Sequence, residues 1–348
     1  MKKFFQWAVF KSHRNQALSV ICLLWSGGIF AQQQKVLDSI SINALPIINY
    51  DDYFTARLSF NDNFNAFKLR NPADGSQFLI SPNQQINANL TLAYRFLEID
   101  VSYTPDFLRF NEDDEIKGKT KFLNIGTRFY IGRFMQNFQY RTTKGFFVED
   151  LDFPDTDLFV ASDLRVRKLG GSTAYILNPD FSFRAIFKQN EWQTKSAGSF
   201  VPILSYYWTR ISDKEPETDT FFDITLGPSY YYNLIVKKDF LVSAGAHIGL
   251  GYNSTKLSFS DGMPSQRFEG LTYTTELKLA LGYNTTRFFT GMNVTFDAFY
   301  HNDEPDFRID DRQRFFEFFL GYRFSAPKIL IKGADYIEKK LSKKKKSD

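Results

Sequence analysis

Strict two-residue periodicity, sustained for nine residues or more, constrains this chain more than any other feature. Val242, Ala244, Ala246, Ile248 and Leu250 stand against Ser243, Gly245, His247, Gly249 and Gly251. Tyr273, Thr275, Leu277, Leu279, Leu281 and Tyr283 stand against Thr274, Glu276, Lys278, Ala280, Gly282 and Asn284. Phe288 to Tyr300 and Phe316 to Phe324 repeat the pattern. Successive side chains of a strand point to opposite faces, so each segment reads as a strand with one oily and one polar face. The same alternation runs through Phe54 to Phe60, Ala88 to Tyr94, Ile99 to Tyr103, Leu123 to Ile131, Leu204 to Trp208 and Phe222 to Leu226. A phase change after Arg95 marks a tight turn at Arg95 to Glu98.

Alternation fits a soluble sandwich, a lipocalin-like barrel or a barrel in a membrane. Three features favour the membrane. Aromatics bracket the strands, as at Tyr273 and Tyr283, Phe288 and Tyr300, Phe316 and Phe324, matching girdles at two interfaces. The segments are longer than the 5 or 6 residues common in sandwiches. Gly126, Gly245, Gly249, Gly251, Gly282 and Gly291 lie on the polar face, where an enclosed interior needs room. Past the N-terminal segment no run reaches 18 apolar residues, so helical spans are excluded there. Arg57, Arg128, Arg184, Glu276, Lys278 and Asp297 all fall on the polar set, as they must if a charge on the lipid face costs about 2 to 4 kcal/mol for Arg or Lys at mid-bilayer. The expected fold is all-β, a transmembrane antiparallel barrel of about twelve strands. Acidic and Pro-, Gly- or Asn-rich connections, such as 104–120, 148–157, 212–220, 259–266 and 301–311, alternate in part with short ones such as VKKD (Val236 to Asp239) and YNTTR (Tyr283 to Arg287).

The chain opens with Lys2, Lys3, Lys11 and Arg14 and no acid, followed by ALSVICLLWSGGIFA. That is the layout of a secretory signal cut after Ala31. The only cysteine, Cys22, lies within it, which leaves the mature chain no disulfide or thiolate site. Removing residues 1–31 takes the formal net charge from +4 to 0. The tail after Phe324 has eight lysines against Asp335, Glu338 and Asp348, a net +5, so the body from Gln32 to Phe324 is net −5. The basic balance therefore belongs to leader and tail, and no nucleic-acid surface is indicated. Three parts are expected: the signal peptide, residues 1–31; one barrel domain, 32–324; and a basic tail, 325–348, on the periplasmic side, with a short helix near Ile331 to Leu341.

The stretch NPDFSFRAIFKQNEWQTKSAGSF, Asn178 to Phe200, combines an apparent strand with a crowd of polar residues. Phe183, Ala185 and Phe187 are expected to face lipid from a strand over Phe181 to Lys188, with Ser182, Arg184 and Lys188 facing the lumen. The stretch, together with Ser81, Pro82 and Asn83, resembles the central signature of an uncharacterised Bacteroidetes family, domain of unknown function 4421. In that family's pattern a basic residue more often follows Asp180 and a tyrosine stands where Phe183 is here. The resemblance implies an exported outer-membrane barrel and assigns no activity.

Candidates for lining the lumen or touching a ligand are Arg184, Lys188, Glu191, His247, Glu276, Lys278 and Asp297. A hydrolase would need His247 beside Ser199 or Ser243 with Asp297 or Glu276 as orienting acid. Ser243 and His247 are about 13 Å apart on one strand face, too far to touch. No catalytic residue is assigned, no metal loop has calcium-binding spacing, and no cofactor is expected. The functions that remain are a narrow pore for a small solute, a structural or docking protein of an envelope complex, or an envelope-lipid hydrolase. The expected partners are outer-membrane lipids, with a small solute or an envelope protein.

Overall fold

The structure, a computed structural model, describes residues 45–70, 75–108, 113–153, 158–187, 190–213, 218–258, 264–302 and 308–344. Twelve antiparallel staves close into a ring. In chain order they are β2 (Tyr53–Arg70), β4 (Ile86–Tyr94), β5 (Leu97–Tyr103), β6 (Lys121–Ile131), β7 (Phe134–Asp150), β8 (Phe159–Tyr175), β11 (Ile203–Ser212), β12 (Asp219–Gly227), β14 (Phe240–Leu257), β15 (Gln266–Asn284), β16 (Phe288–Asn302) and β17 (Arg308–Ser325). The first and last staves pair from Tyr53↔Ser325 to Arg70↔Arg308, which leaves no open edge in the ring. Every backbone group in hydrocarbon can then be bonded within the wall.

Two staves are lengthened toward one rim by β10 (Ala197–Phe200) and β13 (Ser229–Val236). The pairings Leu226↔Leu250 and Ser229↔His247 share one register, so β12 and β13 are a single stave interrupted at Pro228. Proline has no N–H for the ladder; its carbonyl still accepts from Ile248 N at 3.2 Å. β10 and β11 continue each other in the same way across Val201 and Pro202.

Alternation in the sequence becomes inside and outside. On β15, Leu277, Leu279 and Leu281 are 47%, 45% and 46% exposed, while Thr272 and Thr274 are buried. Leu58, Leu90, Ile99, Val101, Ile125, Val242 and Phe318 extend this outward belt around the barrel. In a soluble sandwich these would be the core. Here the buried set is largely polar, including Arg57, Asn61, Asn89, Glu98, Asn253 and Glu317, which is the inversion a membrane barrel requires. Ring pairs mark the short-turn end, with Phe134–Tyr175 at 4.8 Å, Phe240–Tyr283 at 4.9 Å and Tyr322–Phe324 at 4.9 Å, and Tyr273 stacks on Tyr300 at 4.6 Å near the other. Among the described residues no helix is long and apolar enough to cross a membrane.

Apart from the long connection that follows β8, the connections sort by rim. Those at Arg95, Gly132, Lys237–Lys238 and 285–287 are tight, and Arg95, Lys237 and Lys238 adopt φ of 47°, 49° and 66° to make them. Longer connections lie at the opposite rim, where β3 (Gln77–Ser81) pairs with both β2 and β7. It bridges over the ends of β4, β5 and β6, so ten strands rather than twelve form the wall there. Gly145, at φ 91° in the bulge of β7, permits the step: a Cβ there would collide with the Lys119 carbonyl. Thr120 donates to the Gly145 carbonyl at 2.7 Å and accepts from Asn83 N at 2.8 Å. Asn83, of the family-like Ser-Pro-Asn triplet, thereby ties the inset strand to the connection between β5 and β6.

Among the described residues of the expected strand, Phe181 to Phe187, none is in a strand. Arg184–Phe187 is a short helix lying inside the barrel, and Phe183 and Ala185 are 1% and 0% exposed rather than facing lipid. The tail helix is longer than expected, Lys328–Lys344.

Candidate functional site: a plugged lumen

After β8 the chain, described over residues 176–187 and 190–196, turns back from the short-turn rim into the barrel. Asn178 Oδ1 accepts from Asp180 N at 3.0 Å, and Asn178 N donates to Ser199 Oγ at 3.0 Å, so the turn at Pro179 is fixed to β10. Ser182 Oγ accepts from Ala185 N at 3.0 Å, the side-chain cap that starts the short helix. β9 (Glu191–Gln193) then pairs antiparallel with β1 (Ile47–Asn49), which recruits the segment just before the first stave.

Phe181, Phe183, Ile186 and Trp192 are each at most 3% exposed and pack with Tyr130, Met135, Tyr231 and Leu241 of the wall. Phe183 meets the Tyr231 ring edge-on at 4.8 Å. Polar bonds fasten this plug to the tight turns. Trp192 Nε1 donates to the Lys238 carbonyl at 2.6 Å and Asn190 Nδ2 to the Arg95 carbonyl at 2.8 Å. Gln193 Oε1 accepts from Ser182 N at 3.0 Å and Asn233 Nδ2 at 2.8 Å. Arg323 is fully buried, with its guanidinium 3.8 Å from the centre of the Tyr50 ring and donating to Thr285 O at 2.7 Å and Asn284 Oδ1 at 2.6 Å.

Beyond the plug the lumen contains a cavity of about 300 Å³ whose floor includes Phe183, Ile203 and Tyr231. Its wall is charged. Arg128 pairs with Glu98 at 3.0 Å, and Arg57 lies 3.6 Å from Glu317, which also accepts from Asn293 at 2.8 Å. Lys168 sits over the rings of Tyr207 and Phe299, at 4.8 and 4.5 Å. Tyr207 and Phe299 belong to β11 and β16, four staves apart, and their rings meet edge-on at 6.0 Å, so this contact crosses the lumen.

Of the seven sequence candidates, His247, Glu276, Lys278 and Asp297 lie together on the β14–β15–β16 side of the cavity. Register places Glu276 directly between His247 and Asp297. Glu276 accepts from Tyr231 OH at 2.6 Å and Lys278 donates to Thr295 at 2.7 Å. Arg184 and Glu191 are elsewhere, in the plug: they pair at 2.9 Å, Glu191 also accepts from Ser182 at 2.7 Å, and Arg184 covers the Tyr130 ring at 4.7 Å. Lys188 lies outside the described residues. Sequence reasoning left Glu98, Lys168 and Glu317 out of the candidates. Glu98 and Glu317 stood on the polar face of their strands, but which cation faced each depends on register, which a single sequence does not fix.

The histidine faces Ser229 across the ladder, but that hydroxyl donates to the Val201 carbonyl at 2.5 Å rather than to the ring. Its Nδ1 lies 3.2 Å from the Pro228 carbonyl and its Nε2 3.4 Å from Thr274 Oγ1. Ser199 is used in the neck of the plug, donating to the Phe200 carbonyl at 2.7 Å while it accepts from Asn178. Among the described residues no group of three or more His, Cys, Asp or Glu side chains is arranged to hold a metal ion.

Comparison with known proteins bears on family and architecture. No curated protein matches the sequence. Among solved structures, the outer-membrane protease OmpT from Escherichia coli is matched at 8% identity and a TM-score of 0.30, over 80% of this chain and 98% of that one. The β domain of the Bordetella autotransporter BrkA is matched at 12% identity and a TM-score of 0.40, over 78% and 100%. The translocator domain of the autotransporter NalP from Neisseria meningitidis is matched at 8% identity and a TM-score of 0.38, over 88% and 97%. A family model matches residues 47–324, from β1 through to the aromatic end of β17, and so takes in the whole wall and the plug together. The chain belongs to the DUF4421 family, a domain of unknown function.

Proposed function

We propose that this protein is a narrow channel of a Gram-negative outer membrane, exported by its N-terminal signal, that is shut at rest by its own plug and admits a small polar solute. The supporting observation is the cavity of about 300 Å³, walled by side chains of both signs and ending on an internal plug. A barrel built only as a rigid post would gain more from apolar side chains packed across that space, because charged groups lining it give up packing contacts between its own side chains. The plug is joined to the wall through the backbone at β8 and β10, and between those joints hydrogen bonds and ring packing hold it in place. Short turns and both ends of the ring lie at the plugged rim, so in this reading that rim faces the periplasm and the chamber opens toward the long connections.

Single-channel recording in planar bilayers tests the proposal. The wild-type protein should be silent or rarely open. Trp192→Ala, which removes a ring 3% exposed and its bond to the Lys238 carbonyl, should give stepwise conductance while the barrel keeps its heat-shifted mobility on gels. A folded Trp192→Ala protein that never conducts, even when Arg184→Ala is added, would favour the second reading, a permanently sealed structural or docking protein. The number of bonds from plug to wall is the observation on that side. No geometry around His247 favours the hydrolase.

A further inference from the structure

The stave that closes the barrel runs almost directly into a helix. β17 ends at Ser325, the Pro327 carbonyl accepts from Leu330 N and Ile331 N at 3.0 and 3.2 Å, and the helix continues to Lys344. A contact at the rim fixes its course: Asp335 Oδ1 lies 2.7 Å from Arg95 Nη1, in the tight turn between β4 and β5. From Lys328 to Asp335 is about 10 Å of helix at about 1.5 Å per residue. β4 follows β2 and β2 follows β17 around the ring, so β4 lies two strand spacings from β17, also about 10 Å at about 4.8 Å each. The helix therefore runs along the short-turn rim rather than away from it, and a rim-following helix lies near the plane of the bilayer.

Ala334, 8% exposed, marks the edge turned toward the barrel. At about 100° per residue, the first turns, Ile329 to Ile337, set Leu330, Ile337, Gly333, Ile329 and Tyr336 on an adjacent arc of about 120°, which Lys340 and Lys344 enter only farther along the helix. The large apolar side chains of the arc are uncovered: Ile329 is 79% exposed, Tyr336 68% and Ile337 45%. Lys332, Lys339 and Lys328, all exposed, flank that arc at about 40°, 60° and 80° beyond Tyr336. Over Lys328–Lys344 six lysines face two acids, a net +4. Below the same rim the wall presents its oily belt, with Phe324 48%, Phe134 52% and Ile131 55% exposed.

We infer that this helix is an interfacial anchor that lays Ile329, Tyr336 and Ile337 into the phospholipid leaflet at the short-turn rim, with its lysines held by anionic head groups. An in-plane helix whose first turns carry an apolar arc flanked by lysines has the make-up for this, and each lysine near an anionic surface contributes about 1 kcal/mol. The apolar arc lies at the same rim as the lipid-facing belt of the wall, and its flanking lysines carry the sign that an anionic leaflet attracts. The inference needs the barrel to sit in a membrane but does not depend on the lumen conducting.

The test uses the mature full-length chain, which has no cysteine of its own once Cys22 is removed with the signal. Ile329→Cys, Tyr336→Cys and Lys332→Cys are each labelled with a fluorophore and reconstituted in vesicles. The vesicles are phosphatidylcholine alone or mixed with phosphatidylglycerol, in each case with bromine on the acyl chains as quencher. Gel mobility with and without heating confirms folding. Quenching at 329 and 336 should exceed that at 332 by about twofold or more in the anionic vesicles, and fall without phosphatidylglycerol or at high salt, which screens surface charge. Equal quenching at the three positions overturns the inference, as does quenching indifferent to the anionic lipid. So does an unquenched label at Tyr336→Cys that instead cross-links to a second copy.

Discussion

Placing one charge on the outer face measures which way the wall faces. Leu279 lies five residues from Asn284, where β15 meets the short-turn rim. Five residues span about 16 Å of strand at about 3.3 Å each, or about 12 Å along the membrane normal for a strand tilted by about 40°. The apolar band of such barrels is about 25 Å tall, which puts Leu279 at mid-depth. Leu271, 60% exposed on the same face, is thirteen residues from Asn284 and so about 33 Å from the rim, beyond that band. Leu279→Arg should therefore cost about 2 to 4 kcal/mol and Leu271→Arg about 0 to 1. Equilibrium unfolding in denaturant from lipid vesicles gives both values, provided the slopes with denaturant agree. If Leu279→Arg were no more costly than Leu271→Arg, the oily face would not be in hydrocarbon and the inside-out reading of the wall would fail.

Three further outcomes follow from the interior. Arg323→Lys should lower stability by about 1.5 to 3 kcal/mol, since a point charge cannot keep both acceptors and the Tyr50 ring, and should expose residues 45–52 to protease. Glu98→Ala leaves Arg128 without its 3.0 Å partner in the lumen and should cost about 3 to 5 kcal/mol in the same unfolding assay, while Glu98→Ala with Arg128→Met should recover most of it. Gly245→Val puts a side chain into the ring of Tyr231 and should cost about 1 to 3 kcal/mol; removing that ring with Tyr231→Ala should make the second change less costly than the two added separately.

The wall was legible because its signal is local. All residues from Leu271 to Tyr283 but Thr275 and Ala280 declare their face by what they are, and the aromatic ends and short links follow the same logic. The plug was misread for an equally local reason. Phe183, Ala185 and Phe187 satisfy period two, but Ile186 does not: it is apolar on what would be the polar face, and it is 1% exposed inside the plug. Phe183 and Ile186, three apart, are the spacing of one helical turn, and Asn178-Pro179-Asp180 ahead of them is turn chemistry. Register was not legible at all. That Glu276 lies between His247 and Asp297, or that Arg184 closes on Glu191, depends on residue pairings across strands and loops that composition leaves free.

The pairing of β2 with β17 has a consequence for how the molecule comes into being. Its eighteen residue pairs join positions about 240 to 270 apart, so the ring stays unsealed until the C-terminal stretch has been made and delivered. Until then both strands would carry bare amides and carbonyls that oil cannot satisfy. The same strand carries Arg323, which reaches Tyr50 beside the N-terminal half of the plug, and sealing the seam and locking the stopper thereby become one event.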